Sequence, residues 1–389
     1  MEEGGTIGKL RKVLILSVSI GAGHMRSAEA IKKACSSLSP EAEVVILDTF
    51  HYANPFLEKV VLGTYMEMLK MTPIIYGYLY RQAEWGQPLS GRGKMEFNRL
   101  LSILSAPRLT AYIRAFEPQI IICTHPFPLG IISYMKKRGK FKGLAVATIT
   151  DYTVHSFWIF PEIDSYIIGS EALIHQFKQY GIAKKRIKAT GIPIDPDFNK
   201  QYDKHRLRCE LDLDPGLTTI LLMGGGLGMG PLLSAVKSLG NGSRQCQLIV
   251  VTGTNKDLYE RLARTIPSLS CEIRLYGFVD NIHQLMAASD FMVGKAGGLT
   301  CAEALALGLP MFIVDPLPGQ EERNTEFICS MQAGVRVEEK DLVAVITNYL
   351  QEPNNITNMA GAARNLGKPG AAYDAVDYML QAVNDVKVI

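Results

Sequence analysis

The sequence has few cysteines, and none are grouped: there are seven in 389 residues, at positions 35, 123, 209, 246, 271, 301 and 329. No two form a C-x-x-C pair and no His/Cys group has zinc-ligand spacing, which argues against a structural zinc site. They read as small core residues of a reducing compartment. A long apolar run is also lacking. The longest, IIICTHPFPLGIISYM (120–135), carries a histidine and two prolines. It falls short of the ~20 apolar residues a spanning helix needs. The opening MEEGGTIGKLRK has no apolar core of a signal peptide, so the expectation is a soluble or peripheral protein without one. The first glycine turn, GAGH (21–24), is not a GxGxxG fingerprint and does not continue into GKS or GKT. That argues against a P-loop.

What is present is globular: 47% hydrophobic and 20% charged residues, over a length that suggests two domains. The net charge of +3 hides an asymmetry. Residues 1–200 carry 25 Lys/Arg against 17 Asp/Glu, and residues 201–389 carry 16 against 21. A basic half suits an anionic partner such as nucleic acid or a lipid surface; uneven surface decoration is the plainer explanation.

Short β-branched runs recur, each followed by a helix-like pattern. They are KVLILSV (12–18), EVVILD (43–48), QIIIC (119–123), LAVATIT (144–150), SYIIG (165–169) and IKATG (187–191), then TTILLMG (218–224), QLIVVTG (247–253), EIRLYG (272–277), DFMVG (290–294), LPMFIVD (309–315) and GVRVE (334–338). Their near-continuous apolar character fits strands of parallel sheets buried on both faces, joined by right-handed βαβ crossovers. The chain reads as two Rossmann-like halves, residues 1–195 and 196–370, hinged at GIPIDPDF (191–198). A last helix over 371–389 either caps the second half or crosses back to the first.

Residues 51–115 break the pattern. They look helical, and aromatics including Tyr80 and Trp85 alternate with basic residues including Arg81, Arg92 and Lys94. Such a stretch can lie in a membrane interface, or be ordinary core.

Three glycine-rich turns follow expected strands. GAGH offers backbone N–H groups at a helix start. MGGGLGMG (223–230) lets the backbone approach a ligand closely. GKAGGLTCAEALALG (294–308) puts Gly297, Gly298 and Thr300 at a helix start with Glu303 further in. A pyrophosphate fits those N–H groups and Glu303 fits a ribose; a carboxylate that merely complements the helix dipole is the alternative. PLPGQEERNTEF (316–327) then crowds Gln320, Glu321 and Asn324 at the carboxyl end of a strand, where open α/β sheets bind ligands. Amides and carboxylates together suit a polyhydroxylated partner such as a hexose. The donor region offers no clear D-x-D pair that would demand a metal.

Taken together, LILSVSIGAGHMRSAEAI, ITDYTVHSFW, GIPIDPDF, GFVDNIHQLMAASD, KAGGLTCAEALALGLP and PGQEERN resemble, in order and spacing, the family of monogalactosyldiacylglycerol synthases and processive diacylglycerol glucosyltransferases, relatives of the peptidoglycan enzyme MurG. The likeness spans nearly the whole chain. It implies a GT-B fold of two Rossmann-like domains with parallel sheets facing a central cleft, the first domain for the acceptor and the second for a UDP-sugar. By this resemblance Phe278 meets uracil through its backbone. Gly225, Gly226, Gly297, Gly298 and Thr300 cradle the diphosphate, Glu303 binds ribose, and Gln320, Glu321 and Asn324 hold the sugar. KAGGLT sits nearer the bacterial glucosyl forms than the plant galactosyl form, so glucose and galactose both stay open. The implied partners are UDP-glucose or UDP-galactose, diacylglycerol and an anionic membrane surface, not nucleic acid. The implied place is the cytoplasmic face of the cell membrane, with no cofactor and no metal.

An alcohol that attacks a sugar's anomeric carbon must lose its proton, and a base with a near-neutral pKa serves best. His24 is the expected base. Asp151 in TDYTVHSFW orients it or is itself the base. Gly21, Gly23 and His155 are expected on the acceptor side. His125 in THPFP could line the same face, but Pro126 and Pro128 suggest a purely structural turn. A MurG-like transferase with a polyprenyl-linked acceptor, a UDP-sugar epimerase and a non-enzymatic nucleotide-binding module are the rival functions.

Overall fold

The apolar runs become strands because both of their faces are covered. In β1 (Lys12–Ser17), Val13 and Ile15 enter one buried layer while Leu14 and Leu16 enter the other. The two-residue period of a strand sends successive side chains to opposite faces, and here both faces are apolar. The computed structural model describes residues 10–19, 22–53, 107–241 and 246–387. Across them, all twelve runs are strands.

The chain divides into two units, Met1–Pro196 with Gly370–Ile389, and Asp197–Pro369. The first unit has a six-stranded parallel sheet in the order β2-β1-β3-β4-β5-β6. Its further members are β2 (Glu43–Asp48), β3 (Ile120–Cys123), β4 (Leu144–Thr148), β5 (Ser165–Ile167) and β6 (Ile187–Lys188). The chain leaves β1 to one side for β2, then returns to its other side for β3. Between β1 and β3 lies the switch point at which such sheets bind ligands. The pairing of Leu16 with Cys123, and of Cys123 with Ala147, brings the carboxyl ends of β1, β3 and β4 level.

Helix α1 (Ala22–Leu38) follows β1, and α2 (Pro126–Lys137) follows β3. Proline opens α2, where its missing N–H costs nothing. The C-terminal helix, residues 371–387, packs on this first unit. Its Ala372, Ala375, Val376, Met379 and Val383 share a buried layer with Val13, Ile15, Ile31 and Ile122. Burial of each of the larger three contributes about 1.5–3 kcal/mol. Tyr378 fixes the docking through a 2.7 Å hydroxyl hydrogen bond with Ser165.

The second unit repeats the plan in the order β12-β11-β10-β7-β8-β9. The strands are β7 (Thr218–Met223), β8 (Cys246–Val251), β9 (Glu272–Tyr276), β10 (Phe291–Gly294), β11 (Met311–Val314) and β12 (Gly334–Val337). Its switch point lies between β7 and β10. Helix α3 (Gly298–Ala306) follows β10 and α4 (Gln320–Ser330) follows β11. Buried Arg208 ties this sheet's amino edge down, reaching Asp290 at 2.6 Å and the Ala288 carbonyl at 2.9 Å. Among the described residues, no helix is long and apolar enough to cross a membrane.

Candidate active site

In the first unit, polar groups converge where β1, β3 and β4 end. His24 lies in the first turn of α1, and its Nδ1 is 2.8 Å from the carbonyl oxygen of Thr124, just past β3. Thr150 Oγ1, just past β4, lies 3.0 Å from the same nitrogen. A carbonyl only accepts, so Nδ1 carries the hydrogen and Nε2 keeps its lone pair. Burial lowers the His24 pKa from its ordinary value, and the Asp151 carboxylate and the Thr124 carbonyl partly oppose that shift. The ring is therefore neutral near pH 7 with an unprotonated Nε2, the form a general base needs.

Asp151 is 7% exposed, a few residues beyond β4, and its charge reaches His24. His125 packs edge-on against His24, with ring centroids 4.7 Å apart at 85°. Its Nδ1 accepts the Phe127 N–H at 3.1 Å and so caps α2. The turn in THPFP is real, and the ring also packs into the His24 environment. The His125 pKa falls well below the ordinary value, through burial first and then through His24 and His155. His155 is buried, its ring 5.8 Å from that of Phe157. Gly23 precedes His24 in the same helical turn. Gly21, and the membrane candidates Tyr80, Arg81, Trp85, Arg92 and Lys94, lie outside the described residues.

Thr124 and Thr150 were not singled out from the sequence. Both stand directly before a residue that was considered, and both follow an apolar run. Asp48, at the end of β2, is a third such support. It accepts the Ser19 N–H at 2.9 Å and so steadies the β1–α1 turn.

In the second unit the glycine-rich loop follows β7. Gly225 and Gly230 have φ of 67° and 104°, which few other residues adopt. Gly224 is fixed by packing instead: a Cβ there would lie 2.1 Å from the Met229 carbonyl oxygen. Part of the glycine signal is thus the loop folding on itself, while Gly225 faces open space. Gly226 accepts the Thr254 N–H at 2.9 Å through its carbonyl.

Gly297 is the N-cap of α3 and brings no side chain to cap the first turn. That leaves N–H groups of Gly298, Leu299 and Thr300 for an anion. Glu303, 4% exposed, is buried on this helix. Phe278 is 54% exposed on the loop after β9. Gln320 and Glu321 begin α4, and Glu321 Oε2 accepts the Leu317 N–H at 2.7 Å. Asn324 is fully buried and donates from Nδ2 to the Ala296 carbonyl at 2.9 Å. It braces the β10–α3 loop from beneath.

Two D-x-D triplets do occur, Asp195-Pro196-Asp197 and Asp212-Leu213-Asp214. All four carboxylates have protein partners. Asp195 pairs with Lys33 at 2.6 Å, Asp197 with Lys200 at 2.7 Å and Asp212 with Arg274 at 2.7 Å, while Asp214 accepts the Gly216 N–H at 2.8 Å. Among the described residues, no three metal-ligating side chains converge.

Two six-stranded parallel sheets, each with polar loops at its switch point, define the GT-B class. Solved structures agree on this fold. The MurG of Acinetobacter baumannii superposes with a TM-score of 0.61 at 14% identity, over 96% of this chain and 100% of its own. Staphylococcus aureus MnaA, in a co-structure with UDP, gives 0.62 at 12% identity, over 96% and 97%. The family model for monogalactosyldiacylglycerol (MGDG) synthase matches residues 24–194, and that for the glycosyltransferase family 28 C-terminal domain matches residues 219–375. Chloroplastic monogalactosyldiacylglycerol synthase 3 of Arabidopsis thaliana is 30% identical over 386 residues, 95% of this chain and 80% of the plant protein. Processive diacylglycerol beta-glucosyltransferase of Bacillus pumilus is 28% identical over 360 residues, 92% and 91% of the two chains. The chain belongs to the monogalactosyldiacylglycerol synthase family of glycosyltransferases.

Proposed function

We propose that the protein transfers glucose or galactose from a UDP-sugar to the free hydroxyl of 1,2-diacylglycerol, with inversion at the anomeric carbon. The observation that carries this reading is His24: a neutral imidazole, oriented by the Thr124 carbonyl, with Nε2 left as the base. The acceptor hydroxyl gives its proton to Nε2 as its oxygen attacks the anomeric carbon. UDP departs with the bonding electrons. Asp151 stabilises the imidazolium that forms, as the electrostatics of a buried carboxylate near a histidine require. Gly23 and His155 flank the acceptor.

The donor's uracil lies at Phe278 and its ribose at Glu303. Its diphosphate lies on the N–H groups of Gly225, Gly226, Gly297, Gly298 and Thr300, where a helix N-terminus stabilises the leaving anion. Gln320 and Glu321 hold the hexose, with Asn324 as their support. The step uses no resident cofactor or metal, a reading supported by the engagement of both D-x-D triplets with protein partners. The enzyme works peripherally on the cytoplasmic face of the cell membrane, docking on anionic lipid through Tyr80, Arg81, Trp85, Arg92 and Lys94. This last element rests on the sequence alone.

Radiolabelled UDP-glucose and UDP-galactose, each incubated with vesicles containing diacylglycerol, test the proposal. Label should pass into the lipid extract from at least one donor, and only when diacylglycerol is present. Label recovered solely as an epimerised nucleotide sugar, or solely on a polyprenyl-linked acceptor, would overturn it.

A further inference from the structure

Lys295 is the first residue after β10, at the switch point of the second sheet. Its neighbour Gly294 is wedged against β7, where a Cβ would lie 2.2 Å from the Met223 carbonyl oxygen. The lysine therefore leaves the sheet at a fixed place. Its stem runs along the glycine-rich loop: a Cβ on Gly230 would meet Lys295 Cε at 3.2 Å. The side chain is only 11% exposed.

Its one charged partner among the described residues is Glu321, with Nζ 3.6 Å from Oε2. That is longer than a hydrogen bond, and the same oxygen already accepts the Leu317 N–H at 2.7 Å. The ammonium thus has no hydrogen-bond acceptor among the described residues, while its stem is mostly covered and its tip keeps some access to solvent. A cation so placed, partly desolvated and without a close partner, is well set to receive an anion that reaches it. A structural ion pair would close to the 2.7–2.9 Å of a charge-assisted bond. The open distance points to a third group.

We propose that Lys295 is a phosphate-binding residue: its ammonium, parked beside Glu321, hydrogen-bonds the diphosphate of the bound nucleotide. This rests on the reading of the second unit as the nucleotide-sugar domain. It adds a full positive charge to a cradle otherwise made of backbone N–H groups, which stabilises the leaving UDP as well as the bound donor.

UDP binding by calorimetry and uridine binding by NMR titration, on wild type and on Lys295→Gln and Lys295→Arg, test it. Lys295→Gln should weaken UDP about 10- to 100-fold, the range for a lost hydrogen bond to a charged group, and leave uridine unchanged. Lys295→Arg should keep most of the UDP affinity. Glu321→Gln, which removes the competing carboxylate charge, should bind UDP at least as tightly as wild type. It carries the test if Lys295→Gln does not fold. Equal UDP affinity in folded Lys295→Gln, or weaker UDP binding in Glu321→Gln, overturns the assignment. A wild type that binds neither UDP nor uridine overturns the nucleotide reading itself.

Discussion

Replacing His24 by Gln separates chemistry from scaffold. The glutamine amide can still donate to the Thr124 carbonyl, which now accepts from Nδ1 at 2.8 Å. The structural loss is limited to the ring's contact with Thr150 and its edge-on packing on His125, about 1–2 kcal/mol. In a unit the size of the first, roughly 200 residues, each kcal/mol moves Tm by about 2–4 °C. The chemical loss is far larger, because no lone pair remains to take the acceptor's proton. General-base removal costs about 10²–10⁴ in rate, or about 2.7–5.5 kcal/mol of barrier. The two scales are far enough apart to read separately. Rates come from label incorporated into lipid at saturating UDP-hexose, UDP affinity from calorimetry and stability from thermal unfolding. The variant should lose kcat while its UDP affinity stays within about twofold of wild type. The wild-type kcat/KM profile should also show an acid limb centred below the ordinary histidine value, since burial lowers the His24 pKa and only the neutral ring is active. That limb should vanish in the variant. Turnover within about threefold of wild type, or an unchanged acid limb, would falsify the assignment of His24 as base.

Three other outcomes are expected. Asp151→Asn removes the carboxylate that raises the His24 pKa, so the acid limb should move to still lower pH while kcat falls; a limb shifted upward would show that Asp151 acts on another group. Glu303→Gln keeps the volume of a buried side chain but removes its charge, and should weaken UDP by about tenfold, as for a lost charge-assisted hydrogen bond; unchanged affinity by calorimetry would leave Glu303 as a packing residue. Arg81, Arg92 and Lys94 all changed to Glu should release the protein from anionic vesicles, each basic residue near such a surface being worth about 1 kcal/mol; equal sedimentation of variant and wild type would place the docking face elsewhere.

The fold was legible because parallel strands buried on both faces must be apolar nearly throughout. KVLILS and CQLIVV have no polar side to confuse them with loops, and they are β1 and β8. Strand ends were less clear: LAVATIT reads as a strand to residue 150, but β4 stops at Thr148. The last two residues turn away, and Thr150 reaches His24. His24 and Asp151 could be picked out because each puts an ionisable side chain just past an apolar run. Thr124 and Thr150, both uncharged, could not. Their meeting with His24 depends on the order β1-β3-β4 across the sheet, which joins residues 100 and 126 positions apart. Lys295 was hidden for a related reason. In GKAGG a lysine reads as solvated, and only the nearness of Gly230 and Glu321 reveals it as enclosed.

The proposed transfer is tested most directly by the anomeric proton of the lipid product. UDP-α-hexose and diacylglycerol vesicles are incubated with the enzyme, and the purified glycolipid is read by NMR. A β-linked hexose on the diacylglycerol hydroxyl is the expected result, since one displacement with His24 as base inverts the centre. An α-linked product would contradict inversion, and consumption of UDP-hexose without any glycolipid would contradict the transfer itself.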